Sequence, residues 1–159
     1  MMQKVVCIYD YSTGNCSSIE NAFKKLNCKI YISNDFKVLN KANYIIFPGV
    51  GSFPIAMKKL NKNNFKNNFK KIIKKKIPIL GICLGMQILT NFSDEIKPTK
   101  GLAIIPGRIK KNKQNKMNVG WNKIYFTSKK SKFFKLNKEY FYFLHNFSYQ
   151  GSSKYIKAT

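Results

Sequence analysis

Four short apolar runs rich in β-branched residues lie at residues 4–9, 29–32, 44–47 and 77–82, and each interval between them is long enough to hold a helix. Strands spaced in this way are joined by crossovers rather than hairpins, which predicts a mostly parallel sheet with helices on both faces. The run at 44–47 is apolar without alternation, as suits a strand covered on both sides. Ser17 or Ser18 is placed to cap a helix reaching about Leu26, with Ile19, Ala22, Phe23 and Leu26 along one face. Residues 65–75 carry Phe65, Phe69, Ile72 and Ile73 at helical spacing, and a further helix is expected over 85–92. After Gly101 the texture changes. Residues 102–109, 121–126 and 140–149 read as strands with little helix between them, an antiparallel extension. No internal repeat or linker divides the chain, so residues 1–159 are expected to form one α/β domain. The Lys/Asn stretches 58–68 and 110–116 read as solvated helix and loop.

Charge narrows the functional classes less than its size suggests. Thirty basic residues face six acidic ones, for a formal charge of +24. Only Arg108 is an arginine, however, and the lysines are interleaved with asparagine along the whole chain. Specific nucleic-acid readers use arginine for bidentate contacts, so no specific nucleic-acid partner is expected. Binding that vanished near physiological salt would mark mere charge. No apolar run approaches the roughly 20 residues that span a bilayer, and residues 1–9 read as a first strand rather than a signal peptide. A cytoplasmic domain with no membrane partner is the expectation. Cys7, Cys16, Cys28 and Cys83 form no C-x-x-C pair and His145 is the single histidine, so neither a metal, another cofactor nor a disulfide framework is expected.

Chemistry concentrates at two turns. Gly81-Ile82-Cys83-Leu84-Gly85 is G-x-C-x-G between a buried strand and a helix, the cysteine form of a nucleophile elbow. Its glycines allow a turn tight enough to expose Cys83 at the strand's carboxyl end, where the helix N-terminus favours a thiolate. The plainer alternative is a buried cysteine in an ordinary strand-to-helix turn. Pro48-Gly49-Val50-Gly51 follows another strand, and ligands of open α/β sheets bind beyond such ends. That loop can aim backbone N–H groups at an oxyanion, with Leu84 supplying another donor; alone it is equally a plain tight turn. Together the two motifs suggest acyl transfer through a thioester.

Gly81-Ile82-Cys83-Leu84-Gly85-Met86-Gln87 resembles the signature of class I, triad-type glutamine amidotransferases. Met86 is the form found in the glutaminase subunits of imidazole glycerol phosphate synthase. Segments similar to those subunits follow in the same order: residues 10–15, 48–53, 100–107, 119–122 and 142–145. The resemblance covers essentially the whole chain and implies a flavodoxin-like sheet. It also implies a reaction in which Cys83 attacks glutamine, with Val50, Gly51 and Leu84 as the oxyanion hole. Gly49, Gln87, His145, Asn146 and Phe147 would hold the substrate. The implied partner is a (β/α)8 barrel synthase subunit in a heterodimer, which receives the ammonia in histidine synthesis.

Departures from the family pattern qualify this reading. Ser12 stands where a glycine is usual, and Met117-Asn118 where Pro-His is usual. The family's Phe-His-Pro-Glu motif, which carries the triad His and Glu, has no counterpart in these residues. The domain is therefore expected to be incomplete at its C-terminal end, and the 159 residues alone to be inactive. Two other functions compete: a paralogue supplying ammonia for amino- or amidino-sugar synthesis in surface polysaccharide, and a truncated, inactive binding subunit.

Overall fold

The computed structural model describes residues 3–61, 65–112 and 116–159. Parts of the two Lys/Asn stretches, residues 62–64 and 113–115, lie outside the described residues. The first sheet contains β1 (Val5–Tyr9), β2 (Lys29–Ser33), β3 (Tyr44–Phe47) and β4 (Ile79–Gly81), all parallel in the order β2-β1-β3-β4. Strand alternation divides its side chains. Val6, Ile8 and Ile46 face one side, while Cys7, Tyr9, Ile45 and Phe47 face the other.

Helix α1 (Cys16–Lys24) covers the first side through Ile19 and Phe23. Helices α2 (Phe36–Leu39), α3 (Phe53–Leu60) and α4 (Phe65–Lys74) cover the second. The predicted face of α4 is the buried one, with Phe65, Phe69 and Ile72 inside and Ile73 packed beside them. Phe47 meets Tyr9 at 5.1 Å and Phe69 at 5.0 Å between ring centroids. Each such pair contributes about 0.5–1.5 kcal/mol beyond its buried area. This aromatic block fixes the floor beneath the strand ends.

Several sequence expectations are corrected. The cap of α1 is Asn15, whose side chain accepts from the Ser18 amide at 3.2 Å, because the helix begins at Cys16 rather than after the serines. Ala22 and Leu26 are exposed: only Ile19 and Phe23 reach the sheet. Helices α2 and α3 escaped the periodicity reading. The first is four residues long and capped by Asp35. The second has its first amide, on Phe53, bonded to Glu95 Oε2 at 2.8 Å, a cap from 42 residues away. The helix expected over 85–92 is the single turn α5 (Leu84–Gln87), and Thr90–Ser93 is strand β5. Pairing overrides helical periodicity there, since the amides of Ile104 and Ile105 both donate to the Leu89 carbonyl at 2.9 Å.

The antiparallel extension is two separate sheets. Strand β5 pairs with β6 (Thr99–Lys100) and, in parallel, with β7 (Ile105–Lys111); β8 (Asn118–Lys123) and β9 (Tyr140–His145) form an antiparallel ribbon; and β10 (Phe147–Gln150) completes the second sheet against β7. The strand expected over 140–149 is thus cut at Asn146, because its two halves serve different sheets. Among the described residues, no helix is long and apolar enough to cross a membrane.

Candidate active site

Cys83 sits at the turn from β4 into α5 with φ 53° and ψ −117°, and its side chain is exposed. A non-glycine residue in such a conformation stores about 1–3 kcal/mol of strain. The surrounding backbone holds it there: the Ile82 amide donates to Phe47 O, and Gly85 N to Ile82 O, each at 2.9 Å. Gly85 is required for contact rather than conformation, because a Cβ there would lie 1.8 Å from the Phe47 carbonyl oxygen. The elbow expected from G-x-C-x-G is therefore present. The helix it opens is a single turn, so no long dipole acts on the thiol. The other thiols differ. Cys7 is buried in the core, and that burial pushes it up to about 11. Cys16 and Cys28 pack against the sheet's α1 side.

The loop Pro48-Gly49-Val50-Gly51 lies against this elbow. A Cβ on Gly49 would come within 2.8 Å of Gly85 N and 2.9 Å of Leu84 Cβ. Of the three amides expected to form an oxyanion hole, those of Gly51 and Leu84 have no hydrogen-bond partner among the described residues. The Val50 amide is engaged. It donates to Thr13 O at 2.6 Å, a link from the loop after β1 that local sequence does not encode. Gly51, at φ +98°, is the pivot beside it, with nothing within 4 Å of where a Cβ would stand. The Tyr11 hydroxyl, buried and pushed up to about 12 by that burial, donates to Pro48 O at 2.5 Å. Ser12, at the family's glycine position, has φ 61°, the left-handed conformation that glycine adopts without strain.

Of the predicted substrate residues, Gln87 and the bend at 145–147 are brought together. Gln87 is buried under α5 and its Nε2 donates to Phe147 O at 3.2 Å, which ties α5 to the bend His145-Asn146-Phe147 between β9 and β10. Asn112 braces that bend from β7's end, with its backbone amide on Asn146 O at 2.8 Å and its side chain on His145 O at 3.1 Å. His145 faces Asn118 across the ribbon, with 3.3 Å between its Nε2 and Asn118 Nδ2. Among the described residues no side chain is hydrogen-bonded to the Cys83 thiol, and no group of three His, Cys, Asp or Glu side chains is placed to hold a metal.

One further feature was missed by sequence reasoning. Glu95 brings a half-buried carboxylate to the residue after Ser52, beside the Gly-rich loop. The outward face of the β8–β9 ribbon aligns Val119 and Trp121 with Leu144 and Tyr142. Trp121 is 69% exposed and meets Tyr142 edge-on at 5.7 Å.

The family model of class-I glutamine amidotransferases matches residues 7–158. The chain is 35% identical over 159 residues to the imidazole glycerol phosphate synthase subunit HisH of Listeria monocytogenes, covering 98% of this chain and 76% of the relative. It is 38% identical over 161 residues to subunit HisH 2 of Vibrio vulnificus, covering 97% and 75%. Among solved structures it resembles a glutamine amidotransferase crystal structure with TM-score 0.76 at 13% identity, covering 96% of this chain and 78% of that one. A second likeness, to PurLQS from Thermotoga maritima, has TM-score 0.64 at 18% identity, covering 95% and 71%. These two likenesses concern the fold alone.

Proposed function

The chain belongs to the class-I glutamine amidotransferase family, and from that premise we propose that it is the glutaminase subunit of an imidazole glycerol phosphate synthase. The observation that carries this reading is Cys83, strained and exposed at the elbow beside the unpaired amides of Gly51 and Leu84. Cys83 Sγ attacks the side-chain amide carbon of glutamine. The resulting oxyanion is stabilised by the N–H groups of Gly51 and Leu84; donors of this kind each contribute about 10²–10³ in rate. Collapse expels ammonia and leaves a γ-glutamyl thioester, which water hydrolyses to glutamate. The Val50 amide joins the hole only after its bond to Thr13 O opens, so the resting loop is one donor short.

Gln87, with Gly49 and the bend at 145–147, lines the place for the substrate's glutamyl portion. Glu95, bonded to the Phe53 amide after this loop, supplies a carboxylate for the α-ammonium group. The ammonia passes to a (β/α)8 synthase subunit, docked on the ribbon face that carries Trp121 and Tyr142 and forming a heterodimer in the cytoplasm. His145, the single histidine, is tied to Asn118 rather than to Cys83. Among the described residues no side chain is hydrogen-bonded to the thiol as a general base would be.

Labelling tests the reading. A glutamine-like diazo-ketone should alkylate Cys83 selectively over Cys7, Cys16 and Cys28 in the native protein, and free glutamine should protect it. The 159-residue chain should release ammonia from glutamine only at background, even with the synthase subunit present. Equal labelling of all four thiols would sink the elbow assignment, and normal turnover would show that a residue of this chain acts as the base.

A further inference from the structure

The hydrogen bonds around His145 run in one direction. Asn122 Nδ2 points to two acceptors, the Gly120 carbonyl at 3.5 Å and Asn118 Oδ1 at 3.1 Å. A backbone carbonyl only accepts, so it sets the orientation of the Asn122 amide. Asn122 then sets Asn118: with Oδ1 receiving that bond, the amide nitrogen of Asn118 is left facing His145 Nε2 at 3.3 Å. An amide nitrogen only donates, so Nε2 must carry its lone pair, and the proton of the neutral ring sits on Nδ1. Nδ1 is buried and has no partner among the described residues. The ring is also braced edge-on by Phe143 at 5.8 Å, and its carbonyl is held by Asn112.

We infer that Asn118 is a positioning residue that locks His145 as the Nδ1–H tautomer, a buried donor awaiting an oxygen of the bound glutamine. The inference rests on the glutaminase reading for the identity of its ligand. It explains why His145 is not the thiol's base: its basic nitrogen is already capped by an amide donor. It also gives the Asn at position 118 a definite role, since only a side chain with an acceptor at one end and a donor at the other can relay the polarity of Gly120 O to the ring. An unpaired N–H at this depth favours any ligand that supplies an acceptor there.

Because the chain has one histidine, nitrogen NMR of the uniformly labelled protein reads the tautomer without assignment. The expected spectrum of the neutral ring has a pyrrole-type Nδ1 and a pyridine-type Nε2. Asn118→Asp, which can only accept, should invert the pattern, and Asn118→Ala should release it to a mixture. Saturating glutamine should shift the Nδ1–H proton downfield in the wild type and leave Asn118→Asp unmoved. A wild-type ring protonated on Nε2 would overturn the inference. So would a spectrum unchanged by glutamine in protein whose Cys83 glutamine protects from the diazo-ketone. The tautomer readout needs no glutamine chemistry, so failure of Cys83 labelling alone would count against the glutaminase reading and not against the lock.

Discussion

The parallel sheet and the β8–β9 ribbon use the same kinds of residue for opposite ends. In the sheet, Cys7, Ile8, Ile45 and Phe47 are wholly excluded from solvent, and the strained turn at Cys83 is affordable because that packing leaves the backbone nowhere else to go. In the ribbon, Trp121, Tyr142 and Leu144 are 69%, 55% and 60% exposed. Side chains of this size contribute little to folding from such positions, and large exposed apolar faces mark binding surfaces. The contrast teaches a division of labour. One region holds Cys83 in a strained turn, the other leaves large apolar side chains uncovered, and Gln87, bonded to Phe147 O, links α5 to the strand that follows the ribbon.

The largest effect expected from breaking this arrangement is at the nucleophile. In a chain extended by the family's Phe-His-Pro-Glu segment and assembled with the synthase subunit, Cys83→Ser should lower glutamine-dependent product formation by about 10³-fold or more, while synthesis from added ammonia persists because only the ammonia source is lost. Parallel loss of both activities would place Cys83 in the structure rather than the chemistry. Next is Gly85→Ala. A methyl group 1.8 Å from the Phe47 carbonyl cannot be accommodated without moving β3 or α5, and a loss of about 3 kcal/mol or more is expected. A urea midpoint close to that of the wild type would show that the elbow is looser than the packing implies.

Trp121→Ala sharpens the comparison from the other side. It should cost about 2 kcal/mol or more of affinity for the barrel subunit if the tryptophan is the anchor, with stability of the isolated chain nearly unchanged. A stability loss without an affinity loss would reverse its role. The smallest effect expected is that of Tyr11→Phe. Removing the bond to Pro48 O should cost about 1 kcal/mol at neutral pH. Burial raises the folded-state pKa of Tyr11 to about 12 from 10.0. Its contribution is thus complete below pH 10 and lost as pH rises from there through 12, because the unfolded chain ionises first. Urea midpoints at pH 8 and 11 should therefore fall less steeply in Tyr11→Phe than in the wild type.

Much of this was legible along the chain. The strands at 44–47 and around Ile79–Gly81, the buried face of α4 and the elbow all follow from short-range patterns that tertiary packing confirms. The errors share one cause. The helix expected after the elbow gave way to β5 because its pairing partners lie at residues 99–109, and α3 is capped by Glu95 rather than by the neighbouring Ser52, whose hydroxyl has no partner. Val50 was counted as a ready donor because nothing nearby in sequence shows that Thr13 O already accepts its proton.

Glycine spacing and apolar runs by themselves determined that Cys83 would stand at the carboxyl end of a parallel sheet, because a tight turn between strand and helix is a local property of the backbone. Only the tertiary structure decided which amides beside that turn stay unpaired, that Gln87 meets Phe147, and that Nε2 of His145 faces Asn118. Hydrogen bonds are directional and short-ranged, so their partners are settled by which segments fold into contact, and here those segments lie dozens of residues apart.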